Sequence, residues 1–255
     1  MILFRHKYEE EEQKIAKQYL DCTDSRIGIN NQLVIARYSC LPYYQELEND
    51  LKLQNSRLIN SYEEHRYIAS FDYYNDIKDL TPELIDLSTY KGEGPFIVKG
   101  STNSKKFDWN SMMFAKNRED AIKIKIKLQQ DSLIGYQDII VRKYEKLKIL
   151  EVGINGLPFS NEWRFFCYKD KILSYGFYWV ISSKMGVIDN RGFDLVKKVI
   201  QRVRDKVNFF VVDIAETENG DWIVIELNDG QMSGLSGNNP HELYKNLAKV
   251  NMSYT

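Results

Sequence analysis

The segment from Phe209 to Asp229 constrains this chain more than any other. Two apolar runs, Phe209-Phe210-Val211-Val212-Asp213-Ile214-Ala215 and Trp222-Ile223-Val224-Ile225-Glu226-Leu227, flank Asn219-Gly220. An Asn-Gly pair between apolar runs is the strongest short-range signal for a β-hairpin with a type I′ turn. A two-residue loop sets the register so that Asp213 faces Glu226. Facing residues have β-carbons about 5 Å apart, and like charges placed there repel. Something must offset that repulsion. Asn228 lies two residues beyond Glu226 and shares its face, as do Val211, Trp222 and Val224. Asp, Glu and Asn together offer oxygen donors suited to a hard cation, Mg²⁺ rather than Zn²⁺. The alternatives are a solvated face on which two acids meet, or a proton shared between them.

The rest of the chain supplies an α/β frame for this hairpin. Up to about residue 94, short apolar runs (Ile2-Leu3-Phe4, Leu33-Val34-Ile35-Ala36, Arg57-Leu58-Ile59-Asn60) alternate with helical stretches (Glu9 to Leu20, Pro42 to Leu53). Ser61 is a candidate N-cap for a third helix, and Thr81-Pro82-Glu83 for a fourth. Strands alternating with helices imply parallel βαβ units. From about 95 to 147 come the strand Pro95 to Gly100, a polar loop, a basic helix from Glu119 to Gln130 and the strand Asp138 to Tyr144. From about 148 to 255 the chain is strand-rich: Asn161 to Tyr168, Lys171 to Val180 and the hairpin, with helices near Phe193 to Val207 and from Pro240. This last zone reads as an antiparallel sheet with helices on one side.

Composition narrows the function classes. With 35 Lys and Arg against 36 Asp and Glu, the net charge is -1. A near-neutral chain has no global field to attract nucleic acid or an anionic membrane. Cys22, Cys40 and Cys167 form no disulfide framework, which suits a reducing compartment. The start does not read as a signal peptide, and no run reaches the ~18 apolar residues of a membrane span. The expectation is a cytoplasmic protein without membrane partners.

Cations stand where an anion could use them. Lys99 ends an apolar strand, and a strand-end ammonium suits a phosphate. The loop from Gly100 to Lys106 offers amides and hydroxyls for phosphate oxygens, although it lacks the glycine spacing of a Walker loop. Arg142 and Tyr144 share one face of their strand and Lys143 takes the other. Glu162 and Arg164 share a face of theirs, as an ion pair or as ligand contacts.

In this order these elements resemble the ATP-grasp superfamily. The resemblance rests on Phe96-Ile97-Val98-Lys99-Gly100, Ile139-Ile140-Val141-Arg142-Lys143-Tyr144, Asn161-Glu162-Trp163-Arg164, Val211-Val212-Asp213-Ile214-Ala215 and Ile225-Glu226-Leu227-Asn228-Asp229-Gly230. It covers Pro95 onward, and the first zone resembles the pre-ATP-grasp domain. Val34 to Tyr44, Leu58 to Arg66 and Gly176 to Trp179 further resemble a phage and bacterial clade marked by an arginine and two lysines and suspected to hold peptide or amide ligases. The resemblance implies a fold with a nucleotide cleft between two α+β lobes, a small lobe at 95–147 and a large lobe at 148–255 carrying the metal site, preceded by an acceptor-binding domain at 1–94. It implies ATP and Mg²⁺ (or Mn²⁺) as cofactors. Lys99, Lys106, Arg142, Lys143, Tyr144 and Glu162 would hold the nucleotide, with Glu162 near the ribose. Lys106, Arg142 and Arg164 would serve the reaction, and Asp213, Glu226 and Asn228 the metal. The hinge departs from the usual pattern, with Arg142-Lys143-Tyr144 where many members carry Glu.

The expected reaction joins a small-molecule or peptide carboxylate to an amine through an acyl phosphate, releasing ADP and phosphate. Phosphoryl transfer without ligation, a nucleic-acid-modifying ligase and a non-catalytic nucleotide-binding module are the rivals. The neutral charge sum weighs against nucleic acid, and retention of the metal triad against the non-catalytic module. Acceptor recognition falls to the first zone, where Arg37, Tyr38 and Ser39 follow one strand end and Asn60 and Ser61 another. His65 and Arg66 lie just beyond, on what reads as a solvated helix face.

Overall fold

The computed structural model describes residues 1–7 and 10–250. The Glu9 start of the first expected helix and the last five residues of the large lobe lie outside the described residues. The first zone contains β1 (Ile2–Leu3), α1 (Glu10–Ala16), β2 (Cys22–Thr23), β3 (Leu33–Ala36), α2 (Tyr44–Lys52), β4 (Arg57–Leu58), α3 (Tyr62–Ala69) and α4 (Tyr74–Ile77). Its strands form a parallel sheet in the order β2-β1-β3-β4, as the alternation predicts. All four residues of β3 are buried, because both faces of the sheet are covered. Val34 and Leu58 pack on Tyr44, Leu47 and Leu51 of α2, while Ile2, Leu33 and Ile35 pack on the opposite side. Ser61 caps α3: its hydroxyl accepts the Glu64 N–H at 3.2 Å and the Glu64 carboxylate accepts the Ser61 N–H.

The helix expected at Thr81-Pro82-Glu83 does not form. That segment runs extended across the cleft floor, with the Thr81 hydroxyl donating to the Val224 carbonyl at 2.8 Å and Leu84 bridging to Arg142. Tertiary pairing overrides the weak proline signal there. Beyond it, Ile85 and Leu87 already pack in the core of the next unit, with Phe96, Val98 and Val141.

That unit holds β5 (Phe96–Gly100), α5 (Trp109–Met112), β6 (Phe114–Ala115), α6 (Arg118–Gln129) and β7 (Ile139–Lys143). Its antiparallel sheet runs β6-β5-β7. α6 buries Ala121, Ile124 and Leu128 at helical spacing, so Lys123, Lys125 and Lys127 turn outward.

The remainder comprises β8 (Ile149–Val152), β9 (Pro158–Ser160), β10 (Glu162–Tyr168), β11 (Lys171–Phe177), α7 (Asn190–Val203), β12 (Phe209–Glu216), β13 (Trp222–Asp229) and α8 (Pro240–Lys249). Its main sheet is antiparallel in the order β11-β10-β12-β13. β10 and β12 are buried along their whole lengths because both faces are covered. Phe165, Cys167, Val212 and Ile214 face Val196, Val199 and Val203 of α7. Phe166, Tyr168, Phe209 and Val211 face the first sheet and α8. The three cysteines are free. Among the described residues, no helix is long and apolar enough to cross a membrane.

The hairpin keeps the Asp213–Glu226 pairing, but the expected type I′ turn is not what delivers it. Glu216 pairs with Trp222 and Thr217 donates its N–H to Asp221, leaving Glu218-Asn219-Gly220 as a three-residue loop. Gly220 alone takes a positive φ, +84°, while Asn219 stays in the ordinary region. This is the type I turn with a following left-handed glycine. It offsets the register by one residue, and a β-bulge at Ile225 restores it, since Ile214 pairs with Val224 and Asp213 with Glu226. The bulge also flips the faces. Val224 and Trp222 pack in the α7 core, not beside the acids as expected from strict alternation. Val211, opposite Asn228, does share the acids' face.

Close backbone approach fixes one further point. A β-carbon on Gly176 of β11 would sit 2.2 Å from the Gly237 carbonyl carbon. The loop from Gly230 to Asn238 is thereby pressed onto β10 and β11. Gly176→Ala should destabilise the protein by about 1–3 kcal/mol through overpacking. A urea midpoint unchanged from wild type would refute the close approach.

Candidate active site

Hairpin β12–β13 and strand β10 carry the acids and one arginine. Arg164 lies directly across from Asp213 in the ladder, and its fork holds that carboxylate at 2.9 and 2.7 Å. Its third nitrogen donates to the Gly234 carbonyl at 2.8 Å. Asp213 has no solvent exposure. Burial pushes its carboxyl up, the pull of Arg164 opposes this, and the nearby Glu226 adds to the rise. Burial also works against the Arg164 charge, and Asp213 more than offsets it.

The small lobe supplies the second cation. Lys99, near the end of β5, reaches across the cleft and ion-pairs with Glu226. Burial disfavours the Glu226 charge, yet Lys99 and Lys106 outweigh it and hold the carboxyl down to about 2. The Asn228 amide nitrogen stands 3.2 Å from Glu226 Oε1 and 3.4 Å from Asp213 Oδ2. Oxygens of both acids therefore converge on one point, and the amide of Asn228 is there to add an oxygen. That all-oxygen donor set fits a hard divalent cation. Among the described residues, no three His, Cys, Asp or Glu side chains cluster closely enough to hold a metal on their own. The set is two acids and an amide.

Lys106 opens a short 3-10 turn, Lys106–Asp108, after the polar loop. Its ammonium bonds the Tyr178 hydroxyl and lies 4.5 Å from the Tyr178 ring and 5.4 Å from that of Trp179. The Arg164 guanidinium lies 4.8 Å from the same Tyr178 ring. Tyr178 and Trp179 are site residues that sequence reasoning missed. The signal for them was the aromatic pair just beyond a strand end, Phe177-Tyr178-Trp179. The loop amides are less available than expected. Thr102 and Asn103 both donate their N–H groups to Gln137 Oε1 at 3.1 Å, and Lys105 pairs with Asp131 at 2.6 Å.

Glu162 lies among these charges. It is 6% exposed, and its carboxylate accepts from the Ser160 hydroxyl at 3.3 Å. Burial, reinforced by Asp213, pushes it up to about 8 despite the opposing field of Lys106. Its surroundings are thus those of the acids and Lys106. Arg142 is 5% exposed. It spans from β7 to the large lobe, donating to the carbonyl of the bulge residue Ile225 and to the Thr81 hydroxyl. Burial lowers its affinity for its proton. Lys143 is exposed, 3.8 Å from Glu145, and Tyr144 packs edge-on against Phe114.

These groups line one cleft between the lobes, about 820 Å³ counted out to its open mouth. Ile97, Met113, Leu147, Leu157, Pro158 and Ile223 make one part of it apolar, and Lys99, Lys106, Arg142, Glu162 and Glu226 make another charged. Of the first-zone candidates, Arg37 and Asn60 do not reach a cavity. Arg37 spends its nitrogens on Glu12 and on the carbonyls of Gly230 and Gln231. Asn60 is fully buried, bonded to the Phe209 backbone and to Asp229. Ser61 is occupied as a helix cap, and the half-buried Tyr38 packs beside the α2 core. Ser39 lines a second pocket. His65, expected on a solvated face, is 3% exposed and faces β13.

Comparison with solved structures agrees with this geometry. A crystal structure of the D-cycloserine synthetase DcsG superposes with a TM-score of 0.62 at 10% identity, covering 97% of this chain and 98% of that one. D-alanine–D-alanine ligase from Bacillus anthracis, complexed with ATP, gives 0.61 at 11% identity over 99% and 95%. The ATP-grasp ligase PsnB, complexed with precursor peptide PsnA2 and AMPPNP, gives 0.58 at 9% identity over 96% and 95%. At such identities the likeness is one of fold. No curated protein matches the sequence significantly. A family model matches residues 88–247: the ATP-grasp domain, family 3 of the clade named for one arginine and two lysines. That match spans more than half of the sequence, both lobes of the cleft and every charged residue in it, and the chain belongs to that clade of the ATP-grasp superfamily.

Proposed function

We propose that the protein is an ATP-dependent carboxylate–amine ligase. One observation carries the reading: Asp213, Glu226 and Asn228 converge on a point that Lys99 reaches from one lobe and Arg164 from the other. The apolar part of the cleft suits a purine, and the charged part a triphosphate. Glu162, largely protonated at neutral pH, adds little repulsion toward that polyanion. A divalent cation on Asp213, Glu226 and Asn228 would neutralise phosphate charge. Lys99 and Lys106 would orient the terminal phosphate toward a bound carboxylate. Arg164, held flat over Tyr178 by Asp213, would face the charge that develops as the phosphoryl group moves. A carboxylate is a poor electrophile and an acyl phosphate a good one, so the amine attacks the latter and ADP and phosphate leave. Lys143 and Tyr144 would border the nucleotide, and Arg142 would brace the cleft floor. Three free cysteines suit the cytoplasm.

The test begins with binding. ATP affinity should depend on Mg²⁺ or Mn²⁺, and Glu226→Ala should lower the metal-dependent affinity at least 100-fold, roughly 2.7 kcal/mol. Nucleotide binding by Glu226→Ala that is undiminished and indifferent to metal would remove the site. With a metabolite extract, ADP should appear together with an amide conjugate by mass spectrometry. AMP, or a stable phosphorylated product in place of the amide, would overturn the ligase reading.

A further inference from the structure

A second pocket, about 560 Å³ out to its mouth, abuts the nucleotide cleft. The two share a wall. Asn228 lines the second pocket and bonds Glu226, which lines the first. Thr102 and Asn103 line the second, and Ser104, next in the loop, lines the first. The second pocket therefore lies beside the point where a terminal phosphate would rest.

His65 lines this pocket, and its ring is held from two sides. Its Nδ1 is 3.1 Å from Asp229 Oδ2. Asp229 is itself fixed, because its Oδ1 accepts the Gln231 N–H at 2.9 Å and the Asn60 amide at 2.9 Å. The Tyr44 ring stacks flat on the imidazole, with centroids 4.4 Å apart and an interplanar angle of 16°. An Nδ1–H donated to Asp229 leaves the lone pair on Nε2. Nε2 makes no hydrogen bond to any described residue, and it is not among the buried atoms sealed without a partner. A carboxylate-oriented imidazole with its second nitrogen free at a cavity is the arrangement of a general base. Nothing in the handling of the nucleotide uses it.

We infer that this pocket receives the amine that attacks the activated acid, and that His65 Nε2 takes the proton that amine gives up. The inference rests on the ligase reading. In the step, the amine nitrogen adds to the acyl carbon and the bond from that carbon to the phosphate oxygen breaks. Phosphate leaves with the electron pair, and the surplus proton on nitrogen passes to Nε2. Asp229 then faces the imidazolium through Nδ1. The lining also restricts the acceptor. Among the described residues, it contains no Lys or Arg, so nothing there pairs with a carboxylate or phosphate. Ser39, Thr102, Asn103 and Ser233 offer neutral hydroxyl and amide groups. The acceptor class is an amine carrying hydroxyl or amide groups, with no carboxylate beside its nitrogen.

The test uses the full chain and its three histidines, His6, His65 and His241. With ¹⁵N-labelled histidine, His65→Gln assigns the His65 signals. Ethanolamine should shift the His65 Nε2 resonance saturably, alanine should not, and Ser39→Trp should remove the shift. No His65 response, a parallel response of His6 and His241, or an equal response to alanine would each overturn the pocket. A second arm uses Mg²⁺-ATP and an extract that supplies the acid, with ethanolamine and hydroxylamine in competition. Hydroxylamine attacks acyl phosphates without base help, so His65→Gln should lower the amide-to-hydroxamate ratio at least 100-fold. A fall in both products with the ratio unchanged would reduce His65 to structure and defeat the inference. If wild type forms no hydroxamate at all, the ligase reading fails, and the proton transfer fails with it.

Discussion

Asp213→Ala should cost the fold about 3–5 kcal/mol, because it strands the Arg164 guanidinium in the core. Arg164 is 7% exposed and Asp213 not at all, and two of the three Arg164 hydrogen-bonding nitrogens are committed to that carboxylate. The bond to Gly234 would remain, and it cannot replace a counter-charge. Chemical denaturation reads the loss directly. A destabilisation below about 1 kcal/mol would show that the pair is not a buried one. The double replacement Asp213→Leu with Arg164→Met separates stability from function. Buried ion pairs exchanged for apolar groups of similar volume are often neutral in stability. The double variant should regain most of the lost stability and none of the metal-dependent nucleotide binding. A single variant that merely unfolds says nothing of the site, and the double variant supplies what it lacks. The same pair explains why two acids can meet on one hairpin. Arg164 offsets one charge, Lys99 the other, and each cation comes from a different lobe.

The parts of the site that local patterning encodes are legible in the sequence. Alternation puts Asp213, Glu226 and Asn228 together, and the strand-end Lys99 is visible because a cation there breaks an apolar run. The hairpin shows how thin such legibility can be. A two-residue turn predicts the pairing, whereas the structure reaches it through a three-residue loop and a compensating bulge at Ile225. A bulge leaves no mark in a run of β-branched residues, so strict alternation puts Val224 and Trp222 on the wrong face. The first zone is harder, because its polar residues meet partners far away in sequence. Arg37 satisfies carbonyls in the Gly230 loop and Asn60 satisfies the start of β12. His65 looks solvated from its helix alone, since helical periodicity cannot say that β13 lies against that face. Only tertiary packing turns one strand-end polar residue into scaffold and leaves another, Ser39, at a cavity.

Glu162 sets a pH dependence whose sign is fixed. Its carboxyl is raised from 4.5 to about 8 in the folded state, first by burial and then by Asp213. Below pH 4.5 it is protonated folded or unfolded, and it does not oppose folding. As pH rises toward 8 the unfolded chain ionises this group while the folded one keeps the proton. Stability then falls by up to about 1.4 kcal/mol per pH unit, and the loss is complete once the folded carboxyl has also ionised. Asp213, also raised, slopes in the same direction. Glu226 acts oppositely. Held at about 2, it contributes stability above its ordinary range that fades as pH falls toward 2. The site alone therefore favours the folded state most near pH 4.5, between the two windows. Glu162→Gln keeps the shape of the side chain and removes its titration. It should leave stability at about pH 4 nearly unchanged, raise it by several kcal/mol at about pH 9, and flatten most of the slope between, the remainder of that slope belonging to Asp213. Denaturation midpoints at closely spaced pH values test this. Parallel curves for wild type and variant across the window would mean that Glu162 ionises normally and that the cleft is wetter around it than its burial implies.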